Sequence, residues 1–236
     1  MSKGLQYFQK IYDVVPGWIQ KMHDNSPEML DYYTDIRGQA FKGAALTAKE
    51  KDVLVAVMNA GRLYSRSMLY HTKGAVTGGI TLSELTEYFL VAYLYKGEEA
   101  LRVSLEAIVY ALELMGKNVQ YSIKGSESIE DILNLVLQWT RDEELDYLNE
   151  VLELIKKKDL NKVEGKILQD GNVSAKLKNL ALIGCFITEL DGVGAKIWIE
   201  RARELGTEEK ELADLGYICI LTAGIPAWFE ISDSLK

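Results

Sequence analysis

The sequence predicts an all-α protein organised around a duplicated helical bundle, and three observations carry that prediction. Only 3 of 236 residues are proline and runs of β-branched residues are few, which leaves little to build a sheet. Helix-start signals recur along the chain. The chain also matches itself at a fixed offset.

Taken in order, helices are expected over 4–14 and 16–22. At Ser26-Pro27-Glu28 a hydroxyl stands at the N-cap, proline occupies the first helical position, and a carboxylate sits in the positive first turn, so a helix is expected over 27–41. Thr47-Ala48-Lys49-Glu50 is a capping box opening the stretch 48–77, long enough to be two helices broken near Gly61. A second box, Thr81-Leu82-Ser83-Glu84, opens 81–95, and 97–116 follows Gly97. Ser128-Ile129-Glu130-Asp131 is a shorter-armed version opening 128–139. The remaining helices are expected over 142–158, 173–189, 193–205, 207–222 and 225–234. Apolar residues recur at helical spacing between these signals, as in Leu85, Phe89, Ala92 and Tyr93, or Leu145, Leu148, Val151, Leu152 and Ile155. Gly78-Gly79, Gly116-Lys117 and Asp170-Gly171-Asn172 mark the breaks, and Lys156-Lys157-Lys158 places cations at a negative helix end.

Sliding the sequence by 127 residues aligns Leu63 with Leu190, Ala75 with Ala202, Gly79 with Gly206, Glu84 with Glu211, Leu85 with Leu212, Leu94 with Leu221 and Gly97 with Gly224. These are 7 identities in the 35 positions 63–97, where unrelated segments give roughly 2. The expected organisation is a first helical repeat over 1–116 holding the candidate site, connecting and lead-in helices over 117–172, and a second, degenerate repeat over 173–236.

Composition narrows the function classes. A net charge of −8 starts any phosphate-backbone contact from repulsion, so a nucleic-acid partner is not expected. Neither a signal-peptide core over Met1–Lys10 nor a membrane-spanning apolar run is visible, so the expected location is the cytoplasm with no membrane partner. Cys185 and Cys219 are too few for a disulfide framework. With His23 and His71 the only histidines, no ligand-spaced metal cluster is seen, and no cofactor is expected.

The stretch Glu50-Lys51-Asp52-Val53-Leu54-Val55-Ala56-Val57, then Tyr64-Ser65-Arg66-Ser67-Met68-Leu69-Tyr70-His71-Thr72-Lys73, then Gly79-Ile80-Thr81 through Gly97, resembles the core of the carboxymuconolactone decarboxylase and alkyl hydroperoxidase D-like superfamily. The resemblance covers roughly 25–115, and 173–234 through the repeat. It implies an all-α fold assembled in rings of threes, hence a homo-trimer for a tandem chain. On the motif, the two redox cysteines fall on Tyr64 and Ser67, the histidine on His71, the relay residue on Arg66 and the acidic position on Asp52. A phenol and a hydroxyl form no disulfide, so thiol peroxidase activity is not expected. In the second copy the histidine position holds Trp198, and Tyr64 and Ser67 correspond to Asp191 and Gly194.

Tyr64, Ser67 and His71 are spaced i, i+3 and i+7, which stacks them on one helical face. An imidazole can act as general acid or base near physiological pH, so His71 can pass a proton to or from a substrate, Asp52 can fix its tautomer, and Arg62, Arg66 and Lys73 can hold a substrate carboxylate. This set suits a cofactor-independent lyase or isomerase acting on a small carboxylated molecule. The same residues fit a non-catalytic reading, in which His71 and Asp52 are structural, the cations solvated, and the chain a ligand-binding or oligomeric scaffold. Tyr70, Tyr88, Tyr93 and Tyr95 read as amphipathic wall residues, and Trp18 and Trp228 as candidates for a subunit contact.

Overall fold

The computed structural model describes residues 2–42, 45–140 and 145–236. Among these residues there are fourteen α-helices and no strand. The chain falls into two compact units, Met1–Thr47 and Ala48–Lys236.

The first unit holds α1 (Lys3–Tyr12), α2 (Gly17–Asn25) and α3 (Pro27–Lys42). The Ser26 hydroxyl accepts the Met29 N–H at 3.2 Å, with Pro27 the first helical residue. Its core is aromatic and encloses a cation. Arg37 is buried and donates to the Tyr7 hydroxyl at 2.7 Å, while its guanidinium lies 4.6 Å from the Phe41 ring centroid. Stacking on aromatic faces lets a weakly hydrated guanidinium enter an apolar interior.

The second unit contains α4 (Ala48–Gly61), α5 (Ser65–Thr77), α6 (Leu82–Lys96), α7 (Glu98–Leu114), α8 (Ile129–Trp139), α9 (Asp146–Lys156), α10 (Leu160–Ile167), α11 (Ala175–Thr188), α12 (Gly192–Glu204), α13 (Glu209–Ala223) and α14 (Ile225–Ser232). The stretch 48–77 is broken after Gly61, where a Cβ would stand 3.2 Å from Cys185 Sγ and 3.3 Å from the Tyr95 ring. Leu63 then takes a left-handed φ of 57°, and the Tyr64 N–H closes on the Asn59 carbonyl at 2.8 Å. The capping boxes at Thr81/Glu84 and Ser128/Asp131 are both formed. Residues 142–144 of the helix expected over 142–158 lie outside the described residues.

Helix α10 has no counterpart among the expected elements. Its eight residues bury only Val163 and Ile167, a single i, i+4 pair around Gly165, too short a stripe for a helical period to register. Asp159 caps it by accepting the Lys162 N–H.

Helices α4 and α11 are almost wholly buried and form the centre of the unit, packing on each other. Against α4 lie α5, α6 and α7; against α11 lie α12, α13 and α14. The helices α4 to α7 begin at 48, 65, 82 and 98, and α11 to α14 at 175, 192, 209 and 225, each 127 residues later. The left-handed turn positions keep the same offset: Leu63 and Leu190, Gly79 and Gly206, Gly97 and Gly224.

Two buried ion pairs cross between these sets of helices. Lys51 of α4 meets Asp214 of α13 at 3.0 Å, and Lys178 of α11 meets Glu87 of α6 at 2.7 Å. The lysines are 127 residues apart and so are the acids, so each set supplies the cation of one pair and the anion of the other. Glu87 also accepts the N–H groups of Asn172 and Val173, and Lys178 donates to the Gln169 carbonyl and lies 3.7 Å from the Tyr147 ring centroid. Such additional partners offset the desolvation of a buried pair.

Candidate functional site

Asp52 faces outward from the first turns of α4, and His71 lies midway along α5, the next helix in the hairpin. The hairpin turn at 62–64 brings them together, with His71 Nδ1 2.7 Å from Asp52 Oδ1. Both side chains are largely withdrawn from water, at 10% and 15% exposure. A carboxylate at this distance accepts the Nδ1 proton and so fixes the orientation of the ring.

Gly74, one turn beyond His71, makes the approach possible. A Cβ there would stand 2.7 Å from Asp52 Oδ1 and closer still to Cγ and Oδ2. Any side chain at 74 therefore competes for the space the carboxylate occupies. Sequence reasoning did not single out Gly74; the available signal was a glycine inside a helical pattern at i+3 from a candidate histidine.

The other candidate residues are spread along and around α5. Tyr64 is the N-cap residue of α5, half exposed, and its side chain makes no capping bond. Ser67 is half-buried one turn before His71, Arg66 is exposed, and Lys73 is half-buried. Arg62 precedes α5 and turns toward the other set of helices: its Nε donates to Glu189 at 3.1 Å and its Nη1 to the Thr222 carbonyl at 2.6 Å.

At the positions 127 residues on, the pair is replaced by Asn179 and Trp198. Asn179 is buried and donates to the Ala175 carbonyl at 2.8 Å, while its Oδ1 has no partner. An amide and an indole cannot exchange protons as a carboxylate and an imidazole do. Cys185 and Cys219 are free thiols, fully buried, and burial pushes both well above the usual thiol range. Among the described residues no group of three or more His, Cys, Asp or Glu side chains is placed to hold a metal ion. No helix among them is long and apolar enough to cross a membrane. Trp18 packs edge-on against Phe8 and Tyr33, and Trp228 stacks on Tyr217, so both indoles are engaged within the chain.

No protein-family profile matches the sequence, and no curated protein matches it. The structure does find a relative in shape. A crystal structure from Burkholderia xenovorans LB400, of a protein provisionally named a gamma-carboxymuconolactone decarboxylase subunit, superposes with a TM-score of 0.61 at 18% identity. The match covers 98% of this chain and 94% of that one. The chain therefore has the carboxymuconolactone decarboxylase-like fold, with helices and no strands among its described residues.

Proposed function

We propose that the chain is a carboxymuconolactone decarboxylase-like, cofactor-independent lyase or isomerase acting on a small carboxylated molecule, with His71 as its general acid and base. The observation that carries this reading is the Asp52–His71 contact, largely withdrawn from water and accommodated by the bare backbone of Gly74. In a decarboxylation the substrate carboxylate leaves as carbon dioxide, its bonding electron pair stays on carbon, and the imidazolium returns a proton to that carbon from Nε2. In an isomerisation the same nitrogen removes a proton from one carbon and delivers it to another. Asp52 steadies the imidazolium that either route needs. Arg66 and Lys73 are the cations nearest in sequence for a substrate carboxylate, and Tyr64 at the N-cap of α5 and Ser67 within its first turn offer hydroxyls. Arg62, already bound to Glu189 and Thr222, is the weakest of the proposed carboxylate ligands.

The constant 127-residue offset of helices and turns supports a duplicated unit, with the site in the first copy alone. A homo-trimer is the assembly the resemblance implies, and light scattering on the purified chain tests it.

The functional test is turnover of γ-carboxymuconolactone and a panel of small β-keto and unsaturated acids in deuterated water, reading carbon dioxide release and deuterium incorporation. His71→Gln is expected to lower turnover by roughly 10²- to 10⁴-fold, the usual worth of a positioned general acid or base. Binding with no turnover in the wild type, or turnover indifferent to His71→Gln, rejects the catalytic role. The second reading, a non-catalytic binding or scaffold protein, draws support from Arg62, whose bonds tie helices together.

A further inference from the structure

We propose that a cavity beside α8, remote in sequence from the His71 region, binds a small primary alkylammonium ligand through the carboxylate of Glu127. The cavity encloses about 360 Å³ and is lined by Tyr121, Lys124, Glu127, Asp131, Asn134 and Gln138 among others. That volume lies within the range of small-molecule sites.

Glu127 closes the connection between α7 and α8 and is only 3% exposed. Its Oε1 is fully used, accepting the Tyr121 hydroxyl at 2.8 Å and the Lys124 N–H at 2.6 Å. Its backbone carbonyl accepts Arg102 Nε at 2.8 Å, which fixes the residue to α7. Its Oε2 is buried and has no hydrogen-bond partner. Hydrogen bonds from the connection hold the carboxyl below its ordinary range, against the desolvation that raises it, so it carries a negative charge near neutral pH. The backbone N–H groups of Gly125 and Glu127 lie near enough to support the charge but give Oε2 no hydrogen bond of good geometry, and a buried anionic oxygen in that state is completed by a positive donor.

The opposite wall has the matching chemistry. Asp131, Asn134 and Gln138 recur at i, i+3 and i+7 on one face of α8, while Ile129, Ile132, Leu133 and Val136 turn to the core. That face offers two amide oxygens and the Oδ1 of Asp131, whose Oδ2 is taken by the Ser128 N–H and hydroxyl, all acceptors for N–H groups. Among the described residues no cluster of three acidic or histidine groups is present for a metal ion. An ammonium carries three donors and a positive charge, so it satisfies Oε2 and the amide oxygens together. The exposed side chains of Lys124 and Ser126 form the outer lining.

The test is a titration of the ¹⁵N-labelled full chain with n-butylammonium chloride, followed through the amides of Lys124 and Glu127 and the side-chain amides of Asn134 and Gln138. Tetramethylammonium, of equal charge but without N–H, is the control at matched ionic strength, and Mg²⁺ is a third arm. Saturable shifts in the millimolar range with n-butylammonium alone are expected, weakened roughly tenfold or more by Glu127→Gln, as for one lost charge-assisted hydrogen bond. Should Glu127→Gln disturb the connection, Asn134→Leu and Gln138→Leu keep Glu127 intact and are expected to weaken binding severalfold. An equal response to tetramethylammonium, a tighter one to Mg²⁺, or no saturation at all, meaning that water alone serves Oε2, overturns the proposal.

Discussion

Gly74→Ala tests the geometry on which the His71 region depends. The new methyl group would occupy the space of the Asp52 carboxylate, and that side chain must swing away, breaking its 2.7 Å bond to Nδ1. A hydrogen bond to a charged partner contributes about 1.5–3 kcal/mol, whereas alanine in a helix interior gains about 1 kcal/mol over glycine. The expected net loss of stability is therefore about 0.5–2 kcal/mol, or roughly 1–8 °C in Tm for a unit of this size. The ring itself reports the cause. The lost bond biases the neutral imidazole toward the Nδ1–H tautomer by roughly 10- to 150-fold. Two-bond ¹H–¹⁵N correlations on ¹⁵N-histidine protein at alkaline pH read that tautomer directly, and the only other ring, His23, serves as internal reference. Wild type is expected to show the proton on Nδ1, and both Gly74→Ala and Asp52→Asn to relax it toward Nε2. A wild-type ring protonated on Nε2, or a Gly74→Ala variant with unchanged tautomer and raised Tm, would refute the close approach.

Two further outcomes follow from buried groups. Lys178→Met leaves the Glu87 carboxylate inside the protein with only two backbone donors, and should cost about 3–5 kcal/mol in chemical denaturation; a cost below about 1 kcal/mol would show the pair to be dispensable. Burial raises both thiols, so in the folded chain they keep their protons above the ordinary thiol range near pH 8.5 while the unfolded chain releases them. Stability should then fall with rising pH above about 8.5, by about 2 kcal/mol per thiol at pH 10, and Cys219→Ala should remove half of that slope. Native protein that reacts with a disulfide reagent as fast as denatured protein would contradict this burial.

Local signals made most of the helices legible. A hydroxyl three residues before an acid marks Thr81 and Ser128, and paired glycines mark the turns, because these features act within one helical turn. The stretch 48–77 was long enough for two helices broken near Gly61, but the packing that sets Asp52 beside His71 was not legible from it. Features that depend on distant segments were not legible either. The exchanged ion pairs join residues about 90 and 160 positions apart, and no local pattern marks a buried lysine. The offset did hold a clue: carried upstream, it aligns Ala48-Lys49 and Lys51 with Ala175-Lys176 and Lys178. Glu127 escaped notice because its environment is made by an irregular connection that a periodicity search passes over.

The exchanged pairs carry a consequence for assembly of the polypeptide. Since Lys51 is neutralised by Asp214 and Lys178 by Glu87, neither half of the second unit is electrically complete by itself. During synthesis the leading half would have to wait for the ion-pair partners that Asp214 and Lys178 supply until α11 and α13 leave the ribosome. Severing the backbone between the halves need not abolish the structure, but fragments expressed singly should stay unfolded, and only co-expression should let each find its missing counter-ion in the other.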